Sequence, residues 1–199
     1  SKLLDHIDSP DDLKKLNLAQ LQQLCSEIRS AIIHTVSKNG GHLASNLGCV
    51  ELTVALRREF TGDAIVWDVG HQSYTHKLLT GRRKQFPTIR CKGGLSGFPN
   101  RQESKWDTFT AGHSSTSISA AFGIAEAKAL SGKPGHVIAV IGDGALTGGM
   151  AYEGLNNAGR FGKNFIVILN DNKMSISRSV GAMARYLAQI RTKPAYLRA

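Results

Sequence analysis

Apolar residues between Leu18 and Val36 fall at Leu21, Leu24, Cys25, Ile28, Ile32 and Val36, which is one face of a helix, and Asn17 stands where its N-cap belongs. Glycines in "GGHLASNLG" interrupt that pattern before "CVELTVALRREF" resumes it. Ala64 to Trp67 is a short buried strand that runs into the polar turn "DVGHQ". From Thr80 to Thr110 no period is sustained, and Gly, Pro, Arg and Lys recur, so the segment reads as a long surface excursion. "GHSSTSISAAFGIAEAKAL" is a glycine-led turn into a small-residue helix, with a Ser or Thr side chain expected as its cap.

Val137 to Ile141 and Phe165 to Asn170 are continuous apolar runs of strand length, with a helical stretch from Thr147 to Ala158 between them and a further helix expected over Val180 to Ile190. Strand, helix, strand at this spacing predicts parallel neighbours joined by a right-handed crossover. The predicted fold class is α/β: an open, mainly parallel sheet with helices on both faces, within one domain spanning residues 1–199.

The chain has 199 residues, 41% hydrophobic and 20% charged, enough to bury a core. The opening "SKLLDHIDSPDDLKK" has no apolar run behind a basic one, and the aliphatic runs are too short to span a bilayer. No membrane association is expected. The three cysteines, Cys25, Cys49 and Cys91, are widely spaced outside any CxxC pattern, which fits a reducing cytoplasm. A formal charge of +10 favours an anionic partner. The basic residues are scattered, without the aromatic interleaving of a nucleic-acid reader, so no nucleic-acid partner is expected, and the cluster Arg82 to Lys84 reads as a solvated face.

Candidate chemistry sits where the two long strands end. "GDG" closes the first and "NDN" the second, and in open α/β sheets ligands bind outside the carboxyl ends of strands. If those strands are neighbours, Asp143, Asn172 and the backbone carbonyl of Met174 can converge as an all-oxygen set. Hard Mg²⁺ takes such ligands and commonly completes its shell with substrate phosphates, so a diphosphate is implied. Glycines beside Asp143 admit a close approach, and a helix starting near Thr147 would direct N–H groups at the anion. An isolated GDG is more often a capped turn, and only its pairing with NDN favours an ion site. Thr147 stands where a dinucleotide fingerprint needs its third glycine, and no Walker A sequence or G-x-S-x-G elbow occurs.

The GDG-to-NDN spacing resembles the metal-diphosphate motif of thiamine diphosphate enzymes. The blocks "GGHLASNLGCVELTVAL", "WDVGHQSYTHKLLTGRR", "GLSGFPNRQES", "DTFTAGHSSTSISAAFGIA", "IGDGALTGGMAYEGLNNAG" and "VILNDNKMSISRSVGA" resemble, in order, the 1-deoxy-D-xylulose-5-phosphate synthases, relatives of transketolase. That resemblance implies condensation of pyruvate with D-glyceraldehyde 3-phosphate and release of CO₂, for isoprenoid, thiamine and pyridoxal phosphate synthesis. It implies thiamine diphosphate and Mg²⁺ as cofactors, with Asp143, Asn172 and Met174 on the metal and Gly144, Ala145 and Asn172 on the cofactor. His71, Gly112, His113 and Ser114 would line the cofactor, and His42 would face the reacting carbon as a proton donor or acceptor. His34, His76 and His136 match none of these duties and read as structural or exposed.

The chain departs from the family in two ways. The joint "REFTGDAIVWDVGHQ" is about two residues shorter between the helix and the strand, at a surface turn and not in a motif. The family's chains are also roughly three times as long, and the glutamate that acts on the aminopyrimidine ring lies in a part with no counterpart here; neither Glu51 nor Glu153 is placed for it. The expectation is a diphosphate-binding domain that lacks pyrimidine-binding and C-terminal domains, is inactive alone, and pairs as a homodimer or with the rest of the enzyme. A subunit of a split transketolase-like enzyme and a non-catalytic cofactor-binding or assembly module are the alternatives.

Overall fold

The structure, a computed structural model, describes residues 2–162 and 164–171, together with Ala182, Arg185, Tyr186 and Gln189. Two short 3-10 turns, Leu3–His6 and Pro10–Lys15, precede helix α1, Leu18–Asn39. Asn17 caps α1 as its sequence predicts: Oδ1 accepts from the Gln20 N–H at 3.0 Å while Gln20 Oε1 accepts from the Asn17 N–H at 2.9 Å. Of the predicted apolar face, Leu24, Cys25, Ile28, Ile32 and Val36 are buried and Leu21 is half-buried. The helix runs past Val36 to Asn39, and Gly40, at φ 71°, ends it.

A short helix α2, Leu43–Leu47, occupies the glycine-rich break, and α3 follows at Val50–Glu59. Strand β1 is Ala64–Trp67 and leads through a turn to α4, Tyr74–Lys77. Helix α5, Ser117–Leu130, connects β1 to β2, Val137–Gly142. Next come α6, Asp143–Leu146, then α7, Gly149–Ala158, and β3, Phe165–Asn170. Among the described residues the sheet has the order β1-β2-β3, all parallel, in the register Trp67↔Val140 and Gly142↔Asn170. The helix expected over Val180 to Ile190 lies outside the described residues except at four positions.

Alternation along the strands sorts the core into two layers. Val66, Ala139 and Ile141 pack with Ile118, Ala121, Ala125 and Ala151 of α5 and α7, and Ile65, Trp67, Ile138 and Val140 pack on the other side with Leu56 of α3. Both faces are therefore covered, which is why the runs read as uninterrupted apolar segments. A third cluster joins α1 and α3 to Tyr74, Leu78, Phe86, Ile89 and Leu95.

That third cluster corrects two expectations. The segment from Thr80 to Thr110 is not a loose surface excursion, since Phe86, Ile89, Leu95 and Asp107 are buried in it. Arg82 is likewise not part of a solvated face. It is 4% exposed and grips Asp107 through both guanidinium nitrogens, at 2.6 and 2.7 Å. Of the predicted basic cluster only Lys84 is exposed, while Arg83 is half-buried and pairs with Asp5.

His76 lies beside that pair with no exposure. Arg57 Nε donates to His76 Nδ1 at 3.1 Å, so the ring proton sits on Nε2 and is given to Asp107 Oδ1 at 2.8 Å. Burial, with Arg57 adding to it, pushes the His76 pKa down to about 3, so the ring is neutral and the contact with Asp107 is a hydrogen bond at pH 7, not an ion pair. Lys77, also fully buried, reaches Glu103 at 2.6 Å. Asp107 and Glu103 bind the loop itself, accepting from the backbone N–H of Asn100 at 2.8 Å and of Ser96 at 2.6 Å. These charges order the segment that sequence periodicity leaves blank.

Candidate cofactor site at the strand edge

The parallel pairing gathers the C-terminal ends of the strands on one edge. At the end of β1 the chain turns sharply: Val69 adopts φ 57°, and the Gly70 N–H returns to the Asp68 carbonyl at 2.5 Å. Left-handed backbone is costly for a β-branched residue and persists only where the surroundings fix it. Gly70 itself is required, because at φ 87° a Cβ would sit 2.3 Å from Pro99 Cδ. This turn delivers His71 to the edge.

His71 and His42 meet edge to face, with ring centroids 5.1 Å apart, and Phe98 stands 6.4 Å from His42. The fully buried Asn46 sets the pair by donating to the carbonyls of His42 at 2.6 Å and His71 at 2.8 Å and accepting from the Tyr74 N–H at 2.9 Å. Burial, then the neighbouring His42, lowers the His71 pKa, and burial followed by the Arg90 charge lowers that of His42. Both rings are thereby kept neutral at pH 7, able to accept or donate a proton.

Asp143 lies directly after β2 as the first residue of the short α6, and the helix expected from Thr147 to Ala158 is α7, which starts at Gly149. Gly144 is exposed, with open space around the position of a Cβ. Pairing of Gly142 with Asn170 places the ends of β2 and β3 side by side, as the sequence reading requires. Asn172 and Met174 lie outside the described residues, so the proposed metal set is present here through Asp143 alone. Among the described residues no three His, Cys, Asp or Glu side chains gather around a point.

The Gly112, His113 and Ser114 loop is exposed at the same edge, with His113 Nδ1 2.8 Å from the Ser114 carbonyl. Its helix is not capped by its own Ser or Thr, contrary to expectation. Asp68, from the end of β1, accepts the N–H groups of Ser115 at 2.7 Å and Ser117 at 3.0 Å, while Thr116 Oγ1 turns to the His113 carbonyl. Ser115 Oγ then donates to the Ala145 carbonyl at 2.7 Å, tying this loop to the turn of α6 that carries Asp143.

His42 thus meets His71, and the loop of residues 112–114 is joined to Gly144 and Ala145. Sequence reasoning missed Asn46, Asp68, Ser115 and Phe98. Asp68 alone carried a signal, as a carboxylate placed immediately after a buried strand. His76 proves structural; His136 is half-buried, and its N–H donates to Asp63 Oδ1 at 2.9 Å beneath the opposite edge, while His34 is exposed.

The donor set suits a bound diphosphate. His71 Nδ1 is buried with no partner, a polar atom whose desolvation calls for a ligand group. Gly112 and Gly144 are exposed, and Asp143 follows β2 at the same edge, a residue set that fits a diphosphate with a hard cation. Fold and edge together define an open parallel α/β protein whose strand ends carry histidines, glycines and a carboxylate, the edge where such sheets take their ligands.

The family model described as 1-deoxy-D-xylulose-5-phosphate synthase matches residues 4–199. The chain is 60% identical over 190 residues to the enzyme of that name from Anaeromyxobacter sp. (strain K), covering 94% of this chain and 30% of the relative. It is 61% identical over 198 residues to that of Desulforudis audaxviator, covering 98% and 31%, and 58% identical over 200 residues to that of Heliobacterium modesticaldum, covering 100% and 31%. The chain belongs to the 1-deoxy-D-xylulose-5-phosphate synthase family and spans about 30% of the length of these relatives.

Proposed function

We propose that this chain is the diphosphate- and metal-binding part of a 1-deoxy-D-xylulose-5-phosphate synthase, which joins pyruvate to D-glyceraldehyde 3-phosphate with loss of CO₂. The observation that carries the reading is the convergence of His71, the 112–114 loop and Asp143 on one strand edge, with an unsatisfied His71 Nδ1 among them. Asp143, with Asn172 and the Met174 carbonyl, would hold Mg²⁺, and backbone N–H groups at Gly144 and Ala145 would meet the diphosphate. His71, Gly112, His113 and Ser114 would line the rest of thiamine diphosphate.

When bound, thiamine diphosphate supplies the electron sink that allows a 2-oxo acid to lose CO₂. The chain's own contribution is orientation and proton handling. His42, kept neutral by burial and the Arg90 charge, can take or give a proton at a substrate oxygen, and Asn46 fixes its backbone while His71 fixes the side of its ring. Phe98 stands beside the same ring and adds an apolar wall to that side of it.

The glutamate for the aminopyrimidine and the groups for the acceptor's phosphate belong to further domains. Leu43, next to His42, and Met150, in the first turn of α7, are 38% and 46% exposed, apolar side chains that such a domain or a second copy would cover. The protein works in the cytoplasm as a homodimer in this reading. Calorimetric titration with thiamine diphosphate tests it: binding must appear with Mg²⁺ and vanish with EDTA. Turnover of pyruvate and glyceraldehyde 3-phosphate must then require the native gene product with all of its domains. Equal binding with and without Mg²⁺, or none at millimolar cofactor, overturns it.

A further inference from the structure

We propose that Ser115, which lies outside the residues assigned above to the cofactor, is a positioning residue that holds the 112–114 loop and the Asp143–Ala145 turn of α6 in mutual register. The inference rests on the functional reading just given.

Ser115 is 7% exposed and adopts φ 67°, a conformation that a side chain disfavours. Asp68 imposes it. That carboxylate, 1% exposed, takes the Ser115 N–H at 2.7 Å on one oxygen and the Ser117 N–H at 3.0 Å on the other. A backbone pinned in this way aims the hydroxyl at the Ala145 carbonyl, 2.7 Å away, which also accepts the Gly148 N–H at 3.2 Å. Gly148 shows how closely the joint is built, for a Cβ there would lie 2.1 Å from Ser115 Oγ.

Three segments at the strand edge therefore meet in one residue: the end of β1 through the Ser115 N–H, α6 through its hydroxyl, and the start of α5 through its own backbone. The buried residue is flanked by exposed ones, Gly112, His113 and Ser114 before it in the chain and Gly144 beside the carbonyl it binds, and it is in none of the hydrophobic core clusters. A left-handed residue retained at such a place sets donor geometry before the ligand arrives, and preorganisation of that kind is expressed in affinity.

The test uses Ser115→Gly and Ser115→Thr in the native gene product that carries this chain. Glycine removes the hydroxyl and relieves the left-handed strain, so its melting temperature stays near wild type while affinity for Mg²⁺ and thiamine diphosphate falls roughly three- to tenfold, the loss of one hydrogen bond. Threonine keeps the hydroxyl but is β-branched at positive φ, so the protein melts earlier while affinity stays within about twofold. A merely structural role would rank stability and affinity alike.

Amide exchange at residues 144–148 without cofactor gives a second readout. It must quicken in Ser115→Gly relative to wild type. Unchanged exchange, or Ser115→Gly binding as tightly as wild type, overturns the inference. Wild-type protein that fails to bind the cofactor sinks the functional reading instead, and the exchange rates alone then decide whether Ser115 holds the two segments together.

Discussion

Arg82 and Asp107 meet as a two-pronged pair inside the protein, Nη1 2.6 Å from Oδ2 and Nη2 2.7 Å from Oδ1, with both side chains almost wholly out of solvent. The geometry is the one in which a guanidinium satisfies both carboxylate oxygens at once. Removing one partner leaves a buried charge uncompensated, which costs about 3–5 kcal/mol, far more than a surface pair. Asp107→Asn is therefore expected to lower the urea unfolding free energy by about 3 kcal/mol or more. A loss below about 1 kcal/mol would show that the pair is solvated.

Acid should loosen the same region. His76 has its pKa lowered from 6.5 to about 3 by burial, so between those values the unfolded chain binds a proton that the folded chain refuses. Stability from this group is fully present above pH 6.5 and is lost as pH falls toward 3, with a slope approaching about 1.4 kcal/mol per pH unit. Asp107, held well below the usual carboxylate range by His76 and Arg82 in spite of its burial, loses its contribution in the same direction at lower pH. Urea midpoints from pH 7 to 4 should fall more steeply in wild type than in His76→Gln. Parallel curves would remove His76 from the account.

His42 and His71 touch, yet they are expected to fail differently. His71→Ala should weaken thiamine diphosphate binding about tenfold, because the ring that offers the unsatisfied Nδ1 is gone. His42→Ala should leave that affinity within about twofold and lower kcat by about a hundredfold, the scale of a lost acid or base. Titration and steady-state assay of the native gene product separate the two, and the assignment of roles fails if both variants lose affinity alike.

Asp143 lies at the start of α6 on the ligand edge, half exposed and outside the apolar core. Asp143→Ala is expected to abolish the Mg²⁺ dependence of cofactor binding and weaken it at least a hundredfold, while far-ultraviolet dichroism at 25 °C stays as in wild type. Retention of Mg²⁺-dependent affinity would place the metal elsewhere.

The layered sheet was readable in the sequence because its causes are local and repeated. Val137 to Ile141 is apolar without interruption since both faces of β2 are covered, and α1 shows its buried stripe over 22 residues. Helices α2, α4 and α6 have 5, 4 and 4 residues, too few for a period to show. The polar interior was hidden for another reason. Arg82 reaches a partner 25 positions on and His76 one 31 positions on, and a charged residue read alone is assigned to the surface. Histidines and the GDG were visible as a pattern, whereas Asp68 acts on Ser115 and Ser117, 47 and 49 positions away, and only the fold brings them together.

The three strands point the same way, and one further result of this lies at the far rim, where Asp63 fastens the His136 backbone at the entry to β2. The neighbouring turn of Ser131, Gly132, Lys133 and Pro134 is exposed. A fluorophore or tether attached at Lys133 would sit the length of the sheet away from the residues proposed to meet the cofactor, so the protein can be immobilised or labelled there with that edge left clear.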